Sequence, residues 1–151
     1  MPASPVPGDI VPFIRYAEPR AMIGWLGRAF GFEPILVVDG ENGGVVHAEL
    51  RLGSSAVMIG GIKDDGLGMR TPREAGGVTQ GIYVVVPDAE ALWTRAREAG
   101  AQVVLELYTP TYGAREFAVR DPEGHLWSIG TYRAGSWSED DTGSEAGAAE
   151  R

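Results

Sequence analysis

Two parts of the chain repeat one order of apolar and polar positions: a short apolar run, an acid beside a proline, and then apolar residues at helical spacing. Pro19 suits the first helical position of one part, and Asp88 suits the N-cap of the other. Gly31 and Gly100 follow as residues of the type that end helices. The pattern predicts two helices with these apolar positions: Met22, Trp25, Leu26, Ala29 and Phe30 in the first, and Leu92, Trp93, Ala96 and Ala99 in the second.

Three strand-like segments follow each predicted helix: EPILVVDG, GGVVHAELRLG and SAVMIGG in the first half, and QVVLELYT, REFAVRDP and HLWSIGTY in the second. The order β-α-β-β-β thus occurs twice, and the agreement of element order and helix ends indicates a duplication. We predict an α+β fold with the following parts: an extended lead-in over 1–8, a single domain over 9–132 made of modules 9–60 and 78–132 with a linker over 61–77, and an acidic disordered tail over 133–151.

The strand-like segment VVHAELRLG divides its side chains between two faces, because side chains alternate along a strand. The apolar face, predicted to pack on a helix, comprises Val46, Ala48, Leu50 and Leu52. The polar face comprises His47, Glu49 and Arg51. This polar row faces either solvent or a ligand cavity.

A hairpin is predicted near the end of the ordered chain, where Asp121 and Pro122 begin a turn. His125 follows this turn and is predicted to lie in the turn or at the rim of the sheet. In the returning strand, Trp127 and Ser128 point to opposite faces. Trp127 is predicted to pack under a helix, which leaves Ser128 on the other face.

Composition narrows the classes of function. The chain of 151 residues carries a net charge of −8, which argues against binding a nucleic-acid backbone. The acidity is compatible with a cationic small molecule or with solubility alone. Without cysteine, disulfides and thiolate metal sites are excluded. No apolar run approaches the roughly 20 residues that span a bilayer, and the start lacks a signal-peptide pattern. We therefore expect a cytoplasmic protein without nucleic-acid or membrane partners.

The paired βαβββ units, the segment WLGRAFGF and the hairpin DPEGHLW together resemble the vicinal oxygen chelate superfamily of glyoxalases, bleomycin-resistance proteins and extradiol dioxygenases. The resemblance covers about Asp9 to Tyr132 and is closest to the metal-free bleomycin-resistance-like branch. It implies that the strands of each module curve into half of a cup, with a helix on one face and a ligand cavity on the other. It also implies a homodimer.

The resemblance further implies where the metal ligands of enzymatic members would stand in this chain. These positions are Val11, Met58, Gly81 and Ser128. None offers an imidazole or a carboxylate, whereas a zinc-like or nickel-like ion takes three or four nitrogen, oxygen or sulfur donors. We therefore expect no metal and no cofactor, and we lean away from an enzymatic activity.

The cavity face of the cup has the following candidate ligand-binding residues: Phe13, Arg15, His47, Glu49, Arg51, Tyr83, Tyr108, Tyr112 and Ser128. Arg15 on a cavity face needs a partner, either an internal acid such as Glu49 or a ligand anion. Tyr108 and Tyr112 are expected in a loop, where they form either an aromatic lid or ordinary loop contacts.

Three functions compete at this point. The first is a metal-free protein that binds a drug-like or aromatic metabolite, as in antibiotic sequestration. The alternative is a glyoxalase-like or dioxygenase-like enzyme, a lyase or isomerase, with a non-standard metal set of His47 and Glu49 or with acid–base work by His47, Glu49 or Tyr83. The third is a subunit or regulatory module without a ligand.

Overall fold

The computed structural model describes residues 2–136, so most of the predicted tail lies outside the described residues. The chain forms two compact units. Within the described residues, unit 1 comprises 2–27 and 31–70, and unit 2 comprises 28–30 and 71–136. The last turn of the first helix is therefore grouped with unit 2.

Unit 1 is built around a four-stranded mixed sheet. Its elements are β1 (Phe13–Tyr16), α1 (Pro19–Phe30), β2 (Glu33–Asp39), β3 (Val45–Leu52) and β4 (Ser55–Gly61), with a short 3-10 turn at Glu41–Gly43. The strand order is β1-β4-β3-β2. β1 runs parallel to β4, and the other neighbours are antiparallel.

Unit 2 repeats this topology. Its elements are α2 (Pro72–Ala75), β5 (Gly81–Val85), α3 (Ala89–Glu98), β6 (Gln102–Tyr108), β7 (Glu116–Arg120) and β8 (Leu126–Gly130). The strand order β5-β8-β7-β6 matches that of unit 1, again with one parallel pair between the first two neighbours. The predicted α+β fold of two βαβββ modules is confirmed.

The two long helices begin where the sequence predicts. Pro19 opens α1, and Gly31 ends it in the left-handed conformation at φ 89°. The side chain of Asp88 caps α3 by accepting a hydrogen bond from the backbone N–H of Ala91 at 3.1 Å. α3 ends slightly before the predicted Gly100, with Ala99 as its C-cap. No helix within residues 2–136 is long and apolar enough to cross a membrane.

The apolar helix positions differ in depth. Those of α1 are all buried: Met22, Trp25, Leu26, Ala29 and Phe30. In α3 only Ala96 of the predicted set is fully buried, while Leu92, Trp93 and Ala99 are half-buried. Trp127 is fully buried, and its ring centroid lies 5.2 Å from that of Phe30, which confirms that it packs under a helix.

Part of the predicted linker forms a short helix that the sequence analysis missed. Thr71 and Glu74 make a capping box at the start of α2, in which each side chain pairs with the backbone N–H of the other. Arg73 of α2 donates a hydrogen bond to the carbonyl oxygen of Pro122 at 3.2 Å. The segment is therefore held against the β7–β8 turn.

One predicted core residue of β3 is wrong. Ala48 and Leu50 are buried as expected, but 53% of Val46 is exposed. The cause is an irregular register: Val38 pairs with His47, whereas the next residue of β2 pairs with Val45. One extra residue of β3 is accommodated there, so Val46 falls out of the alternation.

Candidate functional site

Glu116, the first residue of β7, is the centre of a polar cluster in unit 2. Only 1% of its surface is exposed. Its carboxylate accepts hydrogen bonds from three phenol groups: Tyr83 at 2.7 Å, Tyr108 at 3.3 Å and Tyr112 at 2.5 Å, measured between oxygens. Three tyrosines that the sequence analysis predicted as ligand-binding residues thus meet at Glu116, which it did not predict.

The register of the sheet explains why these groups meet. Glu116 stands directly opposite Gly130 of β8 on one side and Tyr108 of β6 on the other. Its neighbour Phe117 packs edge-on against Trp93 of α3 at 5.3 Å, so Glu116 lies on the sheet face away from that helix. The cluster therefore lies on the sheet face that the family resemblance predicts to line a ligand cavity.

Gly130 makes room for the hydroxyl of Tyr83. A Cβ atom at this position would stand 2.4 Å from the Tyr83 oxygen and 2.7 Å from Cγ of Glu116. Tyr83 itself is paired with Ser128, two residues along β8 from Gly130, the partner of Glu116. The missing side chain of Gly130 is what lets the phenol reach diagonally across β8.

A bulge in β6 turns Tyr108 onto this face. Leu105 pairs with Ala118 and Tyr108 pairs with Glu116, so three steps along β6 match two along β7. Strict alternation from Leu105 would have sent Tyr108 to the opposite face. Tyr108 is also the last residue of β6 rather than a loop residue, which corrects the sequence prediction.

Tyr132 completes the cluster beyond the end of β8. Its ring packs edge-on against Tyr112 with centroids 5.2 Å apart and against Tyr83 at 6.3 Å. Its backbone N–H donates to the Tyr83 oxygen at 3.1 Å. We call these five residues the tyrosine cluster: Glu116, Tyr83, Tyr108, Tyr112 and Tyr132.

The environment of Tyr83 decides which chemistry it can perform. Burial raises the pKa of its phenol well above the ordinary 10.0, and the hydrogen bond to Glu116 raises it further. Tyr83 therefore stays protonated near neutral pH and acts as a hydrogen-bond donor. This favours a donor role over the general-base role that the sequence left open.

In unit 1, Arg15 has a different partner from the one suggested by the sequence. Its side chain is 12% exposed, and its guanidinium pairs with Asp65 at 2.9 Å rather than with Glu49. The hydrogen bond from Arg15 lowers the pKa of Asp65 below its usual value of 3.8. Glu49 instead pairs with His47, with 2.9 Å between Oε2 and Nε2.

The remaining predicted residues are less closely engaged. Phe13 is 53% exposed on β1. Arg51 lies 3.9 Å from Glu33, and both side chains are exposed. Ser128 is half-buried beside Tyr83 on β8. The structure thus gathers three predicted tyrosines into one cluster, pairs two residues of the polar row, and leaves Phe13 and Arg51 at the surface.

Glu116, Tyr132 and Asp65 were missed by the sequence analysis. A signal existed for Glu116: in REFAV, Phe117 and Val119 are the apolar positions of a helix-facing strand. Alternation then places Glu116 on the cavity face. Nothing in the local sequence pattern pointed to Tyr132, or to Asp65 in the glycine-rich link.

The four positions that the resemblance assigns to metal ligands carry Val11, Met58, Gly81 and Ser128. None of these residues has an imidazole or a carboxylate group. Within residues 2–136, no three His, Cys, Asp or Glu side chains come together in a way that could hold an ion. A two-donor set such as His47 and Glu49 falls short of the three or four donors that transition metals take.

Comparison with known proteins agrees with the fold. A family model described as the Glyoxalase/Bleomycin resistance protein/Dioxygenase superfamily matches residues 10–129. Uncharacterized proteins of Mycobacterium bovis and Mycobacterium tuberculosis are 34% identical over 124 residues, which is 79% of this chain. The match covers 80% of the M. bovis protein and 71% of the M. tuberculosis protein.

Solved structures show the same architecture. TioX from Micromonospora sp. ML1 is 29% identical with a TM-score of 0.66, and the match covers 83% of this chain and 99% of TioX. The fosfomycin resistance protein FosX from Listeria monocytogenes, solved with Mn(II) and a dihydroxypropylphosphonic acid, has a TM-score of 0.62. Its identity is 14%, with coverage of 85% of this chain and 93% of FosX, so it shows the fold alone.

Proposed function

The chain belongs to the glyoxalase/bleomycin resistance protein/dioxygenase superfamily, and we propose that it is a metal-free protein that binds a drug-like or aromatic small molecule. The tyrosine cluster is the observation that carries this proposal. It places phenol rings and a buried carboxylate on the face of the unit 2 sheet that does not pack on α3. Binding sites for small molecules combine aromatic walls with a few fixed polar groups in this way.

The cluster suits binding better than catalysis. Three hydroxyl groups are already oriented by Glu116, so little side-chain freedom is lost when a ligand packs against the rings. The raised pKa of Tyr83 keeps that group a donor. A preorganised donor set can recognise a ligand without any proton transfer.

We propose that the other predicted residues also contact the ligand but contribute less to its binding. In unit 1 these are Phe13, Arg15, Arg51 and the His47–Glu49 pair, and in unit 2 Ser128 adjoins the cluster. An exposed aromatic ring such as Phe13 and half-buried polar groups are the kinds of surface that a ligand can cover. Their contribution is expected to be smaller than that of the cluster.

We further propose that the biological role is sequestration of an antibiotic-like compound in the cytoplasm. Support comes from the family description, which includes bleomycin resistance proteins. Sequestration requires affinity and no turnover, which agrees with the lack of imidazole and carboxylate groups at the positions where the resemblance predicts metal ligands.

A homodimer is part of the same proposal. β2 and β6 each form one of the two edges of their sheets, and both expose apolar side chains: Ile35, Leu36, Val37 and Val38 on β2, and Val103, Val104 and Leu105 on β6. Edge strands of this composition are usually covered. Val38→Asp should shift sedimentation toward the 16.1 kDa monomer, whereas Val6→Asp in the lead-in should not. An unaltered protein that sediments only as a monomer would contradict the dimer.

The binding proposal is tested by mass spectrometry of the intact purified protein for a co-purified molecule, followed by a thermal-shift screen of aromatic compounds. Tyr112→Phe should weaken binding of any compound found. Tyr16→Phe makes the same chemical change outside the cluster and serves as the control. If no compound binds, or if both variants bind equally well, the cluster is not the ligand site.

A further inference from the structure

Glu116 is a buried carboxylate whose charge has no counter-ion in the part of the chain that the structure describes. The ion pairs of residues 2–136 join other groups, and none includes Glu116. Within residues 2–136, the hydrogen bonds to its carboxylate come from three neutral phenol hydroxyls. Buried charges in proteins are normally paired with an opposite charge, because an uncompensated one is costly to remove from water.

The neighbouring arginine does not supply the missing charge. Arg115 precedes Glu116 on the chain, and successive side chains at a strand point to opposite sides. Its guanidinium donates to Glu90 of α3 at 3.1 Å and to Thr109 at 3.4 Å. Arg115 is therefore engaged on the helix side of the sheet, away from the Glu116 carboxylate.

The hydrogen bonds to Glu116 polarise the rings of the three phenol groups. A phenol that donates a hydrogen bond to a carboxylate becomes more electron-rich, so its ring face attracts a cation more strongly. Tyr83, Tyr108 and Tyr112 all donate to Glu116, and the Tyr132 ring packs edge-on against two of them. The four rings are half-buried, which leaves part of each open to a ligand.

We propose that the tyrosine cluster recognises a positively charged nitrogen, so that the ligand of this protein carries a protonated amine or a quaternary ammonium group set against the tyrosine rings. This inference rests on the proposed binding function and specifies its ligand class. The net charge of −8 acts in the same direction, because it favours the approach of cations.

The test compares choline with its uncharged carbon analogue, in which a tert-butyl group replaces the trimethylammonium group. Binding is followed by NMR of the isotope-labelled tyrosine rings, of which the chain has five, with Tyr16 of unit 1 as the internal reference. We expect choline to bind at least about threefold more tightly than the analogue and to shift the cluster signals. Tyr16 should not respond.

Two variants separate the charge from the shape of the site. Glu116→Gln removes the charge at nearly constant volume and should bring choline down to the affinity of its analogue. Glu106→Gln makes the same change at an exposed position of β6 and should leave the preference intact. The comparison of choline with its uncharged analogue uses the unaltered protein. It therefore still tests the proposal if Glu116→Gln does not fold.

Equal binding of both probes at the cluster would overturn the cation inference and leave the binding function standing. If neither choline nor its analogue binds while an uncharged aromatic compound does, the cation inference is likewise overturned and the binding function stands. Retention of the choline preference by a folded Glu116→Gln variant would also overturn it. If no compound of any class binds, the proposed function itself fails.

Discussion

Replacing Gly130 with alanine should destabilise the protein through the tyrosine cluster. The new Cβ atom would lie 2.4 Å from the Tyr83 oxygen, 2.7 Å from Cγ of Glu116 and 2.9 Å from the carbonyl oxygen of Arg115. Of these three atoms, only the Tyr83 oxygen lies at the far end of a flexible side chain and can move easily. We therefore expect Tyr83 to move first and to lose its hydrogen bond to Glu116.

The size of the effect follows from two contributions. Overpacking of a buried position costs about 1–3 kcal/mol. Loss of a hydrogen bond to a charged group costs about 1.5–3 kcal/mol. Gly130→Ala should therefore lower the free energy of unfolding by roughly 2.5–6 kcal/mol, measured by urea denaturation.

A double-mutant cycle tests the mechanism rather than the size alone. Tyr83→Phe removes the oxygen that the new Cβ would strike, although the contacts with Glu116 and Arg115 remain. The double variant should cost less than the sum of the single variants by about 1.5–3 kcal/mol, because each single variant loses the hydrogen bond between Tyr83 and Glu116. Gly77→Ala is the matched control, because a Cβ there meets nothing within 4 Å. A cost of Gly130→Ala no larger than that of Gly77→Ala, or strict additivity with Tyr83→Phe, would refute the reasoning.

Three further predictions follow from the described contacts. Because the pKa of Tyr83 is raised in the folded protein, the protonated phenol stabilises the fold fully below about pH 10, and this stabilisation is lost as the pH rises further. The free energy of unfolding should therefore fall more steeply above pH 10 in the unaltered protein than in Tyr83→Phe. Parallel plots of unfolding free energy against pH would contradict this. Arg15→Ala should be non-additive with Asp65→Ala and additive with Glu49→Ala, and the reverse pattern would show that the observed ion pair is not the stabilising one. Elemental analysis should find no stoichiometric Ni, Zn, Fe or Mn, whereas about one ion per chain, lost in His47→Ala, would establish a metal site.

The helices could be predicted from sequence because their determinants are local. Pro19 and Gly31 act through their own backbone conformations, and Asp88 caps through a residue three positions away. Apolar spacing then fixes which side of α1 is buried. The duplication supplied the rest, since two copies of one element order restrict the pairing of strands.

Contacts between distant segments could not be predicted in the same way. Arg15 lies fifty positions from Asp65, and the glycine-rich link gave no indication of which of its acids would reach the strand. Val46 shows a second limit. Alternation assigns it to the core, but one extra residue in the β2–β3 register reverses its face, and no residue type marks the irregularity.

The tyrosine cluster combines both limits, which explains why three of its tyrosines could be predicted while its central residue, Glu116, was missed. Tyr83 follows from alternation alone, yet its hydroxyl reaches Glu116 only because Gly130 lacks a side chain. Tyr108 arrives on the same face only through the bulge in β6. A glutamate in an apolar strand signals a buried charge once the strand's helix-facing side is known, and a buried charge requires partners. The phenols satisfy its hydrogen bonds without neutralising it, and this unbalanced charge is the feature that points from the fold to a cationic ligand.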